Sequence, residues 1–404
     1  MPRFLHTADW QIGRAYQRFA ADDAAQLAEA RIATVARIAT LAAERRVDAV
    51  LVAGDVFDAQ TVSDKTVRRL FNALADYPGP WLMIPGNHDA ALAASVWTRA
   101  RRLGCVPSNV HTLEGPECRR FEALGFVVLA APLAQRHVHS DLTDWFDDAV
   151  SPPGLLRVGL AHGCMAGVLP DTLDSANPIA ADRASRARLD YLALGDWHGT
   201  RRMDARTWYS GTPEPDRFRG NDPGNVLLVD IAGPGAQPEV EAVPVAAYRW
   251  HELQAEVSVA TDVEALEARL GELSSRDVVA LRLAGRVDLD ARERVARLVG
   301  EAQGRVRALD VDMASLRLRP TDADLARLAA DGYLGEVLAE LRESAAQAAS
   351  TGEPAGAHRD AESDASPDAS PDLPPDSGEK LADEPEVAAE ALDILAGLLV
   401  ERRG

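Results

Sequence analysis

The feature that most restricts the fold is a pattern that occurs five times in roughly the first 230 residues. A short apolar run ends abruptly in a polar turn that contains Gly or Asp. Runs of about four to six apolar residues bounded by turn residues predict β-strands that are buried on both faces. The pattern therefore predicts a layered α/β domain with polar residues at its strand ends. The turns lie at 8–9, 54–55, 86–89, 162–163 and 195–198.

A long amphipathic stretch lies between the first two predicted strands. From about Asp22 to Arg46, apolar residues recur at close to the 3.6-residue period of an α-helix. The segment therefore predicts a helix that packs one face against the sheet. The apolar residues of this face are Leu27, Ile32, Val35, Ile38 and Leu41.

From about residue 245 the pattern changes to an alternation of strands and helices that carries no cluster of metal-ligating residue types. We interpret residues 1–244 as one α/β domain and residues 245–320 as a smaller α+β accessory domain. The predicted elements of the second domain are a strand at 250–257, a helix at 263–273, a strand at 278–283, a helix at 290–303 and a strand within 308–318.

The C-terminal part of the chain divides into three segments. Residues 321–345 predict a helical extension, and residues 346–385 are rich in Ala, Ser, Pro, Asp and Glu. Such a composition cannot bury enough apolar surface to offset the entropy lost on folding, so it predicts a disordered acidic linker. Residues 386–404 again show an apolar stripe at helical spacing. An apolar stripe beyond a linker needs a covering surface, which predicts a partner-docking helix.

Charge and cysteine content exclude several classes of protein. The net charge is −20, and residues 351–404 carry 14 acidic and 4 basic side chains, so half of the excess lies there. Such a balance does not suggest passive adhesion to DNA, which normally requires a basic surface. The apolar runs are too short for a membrane span. Cys105, Cys118 and Cys164 form no CxxC pair, which excludes a zinc finger and a disulfide framework and predicts a cytoplasmic protein.

Each polar residue at the strand ends has an ordinary explanation by itself. Asp9 could cap a helix, the turn at Asp55 could be purely structural, and His162 could be a hydrogen-bonded core residue. Together they predict more, because the carboxyl ends of strands in an open α/β sheet meet at one crevice where ligands bind. Carboxylate, amide and imidazole donors suit a divalent cation such as Mn²⁺.

Two cations about 3.5–4 Å apart would need one bridging carboxylate, and Asp55, central in the order of the turns, is suited to that role. Such a pair clamps a phosphoryl group and activates a bound water for in-line attack. His88 is then placed to protonate the leaving oxygen or to hold the phosphate, with Asp89 orienting its ring.

At these turns the sequence resembles the calcineurin-like metallophosphoesterases, and within them the SbcD-type DNA repair nucleases. The resemblance covers roughly the first 320 residues. It implies a layered metallophosphoesterase β-sandwich flanked by helices, with a smaller α+β capping domain and a C-terminal helical tail. The segments that carry it are HTADW at 6–10, AGDVFD at 53–58, PGNHD at 85–89 and YSGTPE at 209–214.

The resemblance implies two sets of metal ligands that share Asp55. The family motifs DxH and GHxH here have Gln11 and Asp196 in place of histidines. Both can offer an oxygen, so the site should favour Mn²⁺, with Mg²⁺ possible. One ion would be held by Asp9, Gln11, Asp55 and His198, and the other by Asp55, Asn87, His162 and Asp196.

The resemblance also implies a two-metal DNA phosphodiesterase, the exonuclease and endonuclease subunit of a double-strand-break repair complex. Its partners would be DNA, a coiled-coil ATPase of the SbcC type and a second copy of the chain. The helix near 322–343 and the helix at 386–403 are candidates for contacting the ATPase. Candidate DNA contacts are Arg201, Arg202, Arg217 and Arg219, although charge pairing with neighbouring acids is an alternative for each.

Two other functions stay open from the sequence. One is a metallophosphatase or phosphodiesterase that acts on small substrates. The other is a non-catalytic scaffold with a degenerate metal site. The capping domain and the docking helix favour the nuclease, because a small-molecule enzyme needs neither.

Overall fold

A computed structural model of the chain describes residues 2–165, 177–218, 220–319, 321, 323–324, 335–343, 387 and 390–395. The predicted linker at 346–385, Arg219, and large parts of the predicted helices at 321–345 and 386–404 lie outside these residues.

The chain divides into two compact units. The first contains residues 1–252, 274–280 and 306–310, and the second contains residues 253–273, 281–305 and 311–404. The helices are α1 (Ala21–Glu44), α2 (Asp64–Asn72), α3 (Val96–Arg102), α4 (Arg183–Arg186), α5 (Ala260–Gly271) and α6 (Leu289–Arg305). The strands are β1 (Arg3–Thr7), β2 (Ala49–Ala53), β3 (Trp81–Ile84), β4 (Val110–Thr112), β5 (Glu117–Phe121), β6 (Phe126–Ala131), β7 (Leu156–His162), β8 (Cys164–Met165), β9 (Pro178–Ile179), β10 (Tyr191–Gly195), β11 (Arg201–Arg202), β12 (Thr207–Tyr209), β13 (Asn225–Asp230), β14 (Glu239–Pro244), β15 (Arg249–Val257), β16 (Asp277–Val287) and β17 (Ala308–Leu318).

Two six-stranded sheets, counted among the described residues, form the body of the first unit. One has the order β14-β13-β1-β2-β3-β4, and the other has the order β11-β12-β10-β7-β6-β5. Strands β1 to β4 run parallel, as do β6, β7 and β10. Parallel neighbours end at the same edge of a sheet, so the turns after β1, β2 and β3 lie side by side, as do those after β7 and β10.

Strand β2 illustrates why these strands are apolar throughout. Ala49, Leu51 and Ala53 belong to a core that also contains residues of the second sheet. Val50 and Val52, on the opposite face, belong to a core shared with residues of α1, α2 and α3. Because side chains alternate across a strand, covering both faces requires an uninterrupted apolar run.

The flanking helices follow from local sequence. Helix α1 buries Leu27, Val35 and Ile38, close to the stripe predicted for 22–46. Ser63 and Ser95 begin α2 and α3 by accepting a hydrogen bond from the backbone N–H three residues later, as N-cap residues do. Short 3₁₀ turns occur at Glu122–Leu124 and Asp144–Phe146. The predicted layered sandwich flanked by helices is confirmed.

Residues after 248 form the predicted alternation of strands and helices. Strands β15, β16 and β17 pair in that order, and α5 and α6 follow β15 and β16 along the chain. In the second unit, residues 335–343 and 390–395 are helical. Leu338 and Leu392 are buried and pack with Leu341 and Leu395, so this chain itself covers part of the apolar stripe predicted for docking. Within the described ranges, each helix is either too short or too polar to cross a membrane.

Candidate metal centre

The candidate site lies in the first unit, where strands of both sheets end. Asp9 and Asp55 each follow their strand by two residues, and Asn87 follows β3 by three. His162 is the last residue of β7, and Asp196 directly follows β10. The two sheets therefore present their polar ends to one place, as predicted from the sequence.

Three of these residues form a group with the spacing of metal ligands. Asp9, Asp55 and His162 are all buried, and one ligand atom from each lies within 4.8 Å of the others. A carboxylate pair and an imidazole at this spacing could hold a divalent cation.

The remaining predicted ligands surround this group. The Nε2 atom of His162 lies 3.2 Å from Asn87 Oδ1, 3.6 Å from Asp55 Oδ1 and 3.7 Å from Asp196 Oδ1. His198 Nε2 lies 4.0 Å from Asp9 Oδ1. All seven residues predicted as metal ligands thus lie in one cluster at the strand ends.

The backbone of the cluster is held in an uncommon conformation. Asp9, Gln11, Asp55 and Asp196 have φ of 55°, 48°, 52° and 101°, and they are four of the eight described non-glycine residues with positive φ. Left-handed backbone costs a side-chain-bearing residue on the order of 1–3 kcal/mol, and such strain concentrates at functional sites. Here the strained positions coincide with the predicted ligands.

Gly86 and Gly195, which lie in the motifs, allow neighbouring atoms of the site to approach the backbone closely. A Cβ atom at Gly86 would lie 2.2 Å from Asp55 Oδ1. One at Gly195 would lie 2.0 Å from the carbonyl oxygen of Ala53 and 2.8 Å from His162 Nδ1. These positions require glycine because no side chain fits there without displacing the site.

The ring of His162 is fixed in a state suited to metal binding. Its Nδ1 lies 2.8 Å from the carbonyl oxygen of Ala53, which can only accept, so Nδ1 carries a proton and Nε2 is directed towards the carboxylates. Burial disfavours the imidazolium, but Asp55, Asp9 and Asp196 together raise the pKa of His162 to about 9. A histidine held through its second nitrogen in this way is typical of metal ligands.

The carboxylates are strongly affected by burial. Burial raises the pKa of Asp9 to about 6, opposed by His198 and His162. Burial also raises the pKa of Asp196. Charged carboxylates crowded into a water-poor site are unfavourable unless a positive charge compensates them. The donor set therefore fits a divalent cation.

The side chain of Gln11 gives independent evidence that a further group binds at the site. Its side chain is fully buried, and Nε2 donates a hydrogen bond to Asp55 Oδ2 at 2.7 Å. The Oε1 atom accepts no hydrogen bond from any described residue. A buried acceptor without a partner costs about 1–3 kcal/mol, and a cation or a water molecule at Oε1 would remove this cost.

His198 is oriented by a residue that the sequence analysis missed. Its Nδ1 lies 3.1 Å from Asp216 Oδ1, and Arg217 Nη2 lies 3.0 Å from the same nitrogen. Burial opposes ionisation of Asp216, but its hydrogen bonds with His198 and Arg217 hold its pKa well below the usual range. The sequence feature that could have indicated this role is the position of an acidic residue shortly after the YSGTPE segment.

The structure corrects the predicted role of Asp89. Its carboxylate accepts hydrogen bonds from Gly86 N at 2.7 Å and from Phe57 N at 3.1 Å, so it closes the turn. The His88 ring instead places Nδ1 2.8 Å from the carbonyl oxygen of Asp58, which orients it. The other nitrogen, Nε2, lies 3.9 Å from Asp55 Oδ2.

Arg31 is a second residue that the sequence analysis missed. It is 1% exposed and joins the turn after β1 to residues 212–214. Its position within an amphipathic helix gave no signal, because arginine there usually faces solvent. The guanidinium donates to the carbonyl oxygens of Asp9, Trp10 and Glu214 and to the hydroxyls of Thr212 and Tyr16.

The predicted DNA-binding arginines differ in their surroundings. Arg201 and Arg202 are exposed in β11, and the Arg201 guanidinium lies over the Trp197 ring at 5.4 Å. Arg217 contacts Asp216 and the His198 ring, which brings it to the edge of the cluster. Arg219 lies outside the described residues.

Comparison with known proteins agrees with this geometry. The calcineurin-like phosphoesterase family matches residues 2–179. The chain is 43% identical over 292 residues to the SbcD subunit of the nuclease SbcCD from Rhodobacter capsulatus, an alignment that covers 60% of this chain and 69% of that protein. The chain belongs to the SbcD family. The resemblance noted in the sequence is confirmed, and this calcineurin-like phosphoesterase is a metal-dependent hydrolase.

Two other comparisons give more distant matches. The SbcD subunit of the nuclease SbcCD from Bacillus subtilis is 26% identical over 272 residues, covering 58% of this chain and 67% of that protein. The crystal structure of TT1561 of Thermus thermophilus matches 60% of this chain and 99% of its own, with 12% identity and a TM-score of 0.38.

Proposed function

We propose that this SbcD homologue is a two-metal DNA phosphodiesterase that cuts DNA during double-strand-break repair. The observation that carries the proposal is the approach of Asp9, Asp55 and His162, from three strand ends of two sheets, to within 4.8 Å of one another. The names of the relatives support a nuclease, and the buried carboxylates support a cation-dependent one.

The donor set supports the ligand assignment made from the sequence. Asp55 is central to the cluster and would be shared. Asp9, Gln11 and His198 would complete one position, and Asn87, His162 and Asp196 the other. The donors are oxygen and imidazole nitrogen, which favours Mn²⁺, with Mg²⁺ possible. When bound, the two cations would supply Lewis acidity and lower the pKa of a water molecule.

The surrounding residues would position substrate and protons. The Nδ1–H of His88 donates to Asp58 O, so its Nε2 faces the cluster and can hold or transfer a proton at the leaving oxygen. Arg217 at the edge of the cluster, with exposed Arg201 and Arg202, would bind backbone phosphates. This local positive charge would offset the acidic charge of the chain as a whole.

The test of this function uses the purified full chain with Mn²⁺ on a linear duplex and on bis(p-nitrophenyl) phosphate. We expect metal-dependent cleavage of the duplex. Hydrolysis of the small ester alone would replace the proposal with the small-substrate enzyme. Metal binding with neither reaction would replace it with the scaffold.

Substitution of His88 tests the protonation step. We expect His88→Ala to slow duplex cleavage by about 10²–10⁴-fold without changing Mn²⁺ binding, because His88 is assigned to the substrate rather than to the metal. His139→Ala, an exposed histidine, is the control and should cleave normally. Unchanged cleavage by His88→Ala would remove this residue from the mechanism.

The family names also support a partner ATPase of the SbcC type. We propose that it binds the helical residues 335–343 and 390–395, in which Leu338 and Leu392 pack together. Ile394 and Val387 remain 55% and 52% exposed. Exposed apolar side chains on a helix are suited to a partner surface. The homodimer, the cytoplasmic location and the capping role of residues 245–320 stay predictions.

The docking proposal predicts the behaviour of two variants. Ile394→Asp should weaken co-purification with the ATPase by at least about tenfold, or about 1.4 kcal/mol, because it places a charge at the proposed interface. The exposed Val150, 82% accessible, provides the matched control as Val150→Asp. Undiminished co-purification of Ile394→Asp, and of a chain lacking residues 386–404, would contradict the proposal.

A further inference from the structure

His6 begins the HTADW segment, but it has no role in the mechanism proposed above. The inference drawn from it rests on the proposed metal centre. We propose that His6 is a positioning residue, which together with Tyr191 holds the end of β1 against the end of β10. The ligand turns that follow these two strands are thereby set at a fixed spacing before any cation binds.

The position of His6 in β1 directs its side chain towards the second sheet. Phe4, on the same face of the strand, belongs to the core that contains residues of both sheets. Leu5, on the other face, belongs to the core shared with α1, α2 and α3. His6 is fully buried, so its polar ring lies in a predominantly apolar layer. Such a ring is unfavourable there unless its nitrogens are hydrogen-bonded.

Both ring nitrogens of His6 are hydrogen-bonded to residues of β10. Burial lowers the pKa of His6 to about 3, so the ring is neutral and carries a single proton. Nε2 lies 3.2 Å from the carbonyl oxygen of Leu194, which can only accept, so Nε2 carries that proton. Nδ1 then accepts a hydrogen bond from the Tyr191 hydroxyl at 2.9 Å. With both nitrogens engaged, His6 joins the two sheets and is not itself a metal ligand.

The two strands joined by His6 lead directly into ligand turns. Asp9 follows His6 by three residues, and Asp196 follows Leu194 by two. The backbone N–H of Asp196 also donates to the Asp9 carboxylate at 3.1 Å, but that carboxylate would have to serve a cation as well. The hydrogen bonds of His6 use no ligand atom, so they can fix the spacing whether or not a cation is bound.

The two sheets approach closely at this edge. A Cβ atom at Gly195 would lie 2.0 Å from the carbonyl oxygen of Ala53 and 2.9 Å from the Cβ atom of Ala8. Metal–ligand distances vary by only about 0.2 Å. A small shift between the sheets would therefore spoil a site whose ligands come from both of them. Residues that orient metal ligands typically contribute about 10–100-fold to metal affinity.

The experiment compares Mn²⁺ binding by the full-length wild type and by Tyr191→Phe, followed by the electron paramagnetic resonance signal of the free ion. Tyr191→Phe removes the hydroxyl that donates to His6 Nδ1 and leaves the ring with a single hydrogen bond. We expect Mn²⁺ to bind about tenfold more weakly. His6→Leu removes both hydrogen bonds, and its loss of affinity should approach about 100-fold.

Tyr77→Phe is the matched control. Tyr77 is also buried in the first unit, and its hydroxyl donates to the carbonyl oxygen of Val47 at 2.9 Å. Val47 precedes β2 and so lies at the end of that strand opposite to the ligand turn. Each tyrosine variant loses one buried hydrogen bond, so we expect similar losses of stability in urea denaturation. Only Tyr191→Phe should lose affinity for Mn²⁺.

The outcomes separate this inference from the proposed function. Unchanged Mn²⁺ affinity in Tyr191→Phe, or an equal loss of affinity in Tyr77→Phe, would overturn the inference while leaving the two-metal nuclease intact. An absence of any Mn²⁺ binding by the wild type would overturn the proposed function itself. The two tyrosine variants decide the question even if His6→Leu fails to fold.

Discussion

Asp55→Asn is expected to slow duplex cleavage by about a thousandfold, which corresponds to about 4 kcal/mol of transition-state stabilisation. Asp55 is the carboxylate that both proposed metal positions share. Its oxygens accept hydrogen bonds from His88 N at 2.9 Å and Gln11 Nε2 at 2.7 Å, and Oδ1 lies 3.6 Å from His162 Nε2. An amide keeps the shape but removes the charge and half of the acceptor capacity.

Asparagine is the informative replacement because of the backbone. Asp55 has φ of 52°, and asparagine tolerates the left-handed region better than most residues. The variant should therefore fold normally, and its loss of activity reports on the removed carboxylate oxygen, including the hydrogen bond that this oxygen accepts from His88 N or Gln11 Nε2. The Mn²⁺ stoichiometry measured on the same protein should fall.

The control for Asp55→Asn is the same change at an exposed carboxylate outside the candidate metal centre. Asp76→Asn should cleave the duplex at the wild-type rate. Cleavage by Asp55→Asn within tenfold of the wild type, with both metals still bound, would exclude a shared carboxylate at this position and would require another arrangement of the two ions.

The location of the site was predictable because it follows from two local rules. Apolar runs identify the buried strands, and parallel strands bring their carboxyl ends together. Asp9, Asp55 and His162 are separated by up to 153 positions in the sequence, yet knowing that each follows a strand was enough to place them together. The strand β2 was also predictable from the sequence. Both of its faces are covered, so its apolar run is uninterrupted.

Strands without a chemical motif were overlooked. Strand β6, Phe126–Ala131, is fully buried and as apolar as the others, but it ends at Pro132 rather than in a polar turn. A search guided by polar strand ends passes over such a strand. The antiparallel edge strands, such as β5 and β14, also lack the signal because they are partly exposed.

Residues that support the site were not predictable, because their roles depend on packing between distant segments. Asp216 meets His198 only because the chain returns to the site after β12. The Asp58 carbonyl oxygen, rather than the adjacent Asp89, reaches the His88 ring. Sequence adjacency suggested Asp89, but the tight turn directs that carboxylate to the N–H groups of Gly86 and Phe57.

Replacement of Arg31 is expected to produce the largest loss of stability. This buried guanidinium donates hydrogen bonds to five acceptors, at 2.7–3.2 Å. Five N–H groups serve five acceptors, so the group is fully satisfied. Arg31→Met fills similar space without a donor and removes all five hydrogen bonds, after which the Glu214 carbonyl oxygen keeps only its hydrogen bond from Thr212 Oγ1. We expect the free energy of unfolding to fall by about 3–5 kcal/mol.

The measurement is urea denaturation followed by tryptophan fluorescence, with Arg68→Met at an exposed position of α2 as the control. Arg31→Lys should recover only part of the loss, because an ammonium has three donors and cannot reach acceptors spread around a planar fork. Since the carbonyl oxygens of Asp9 and Trp10 are among the acceptors, Arg31→Met should also weaken Mn²⁺ binding. A loss below about 1 kcal/mol would show that the turn after β1 holds its strained backbone without Arg31, and the geometry of the metal centre would then have to be stabilised by the strands alone.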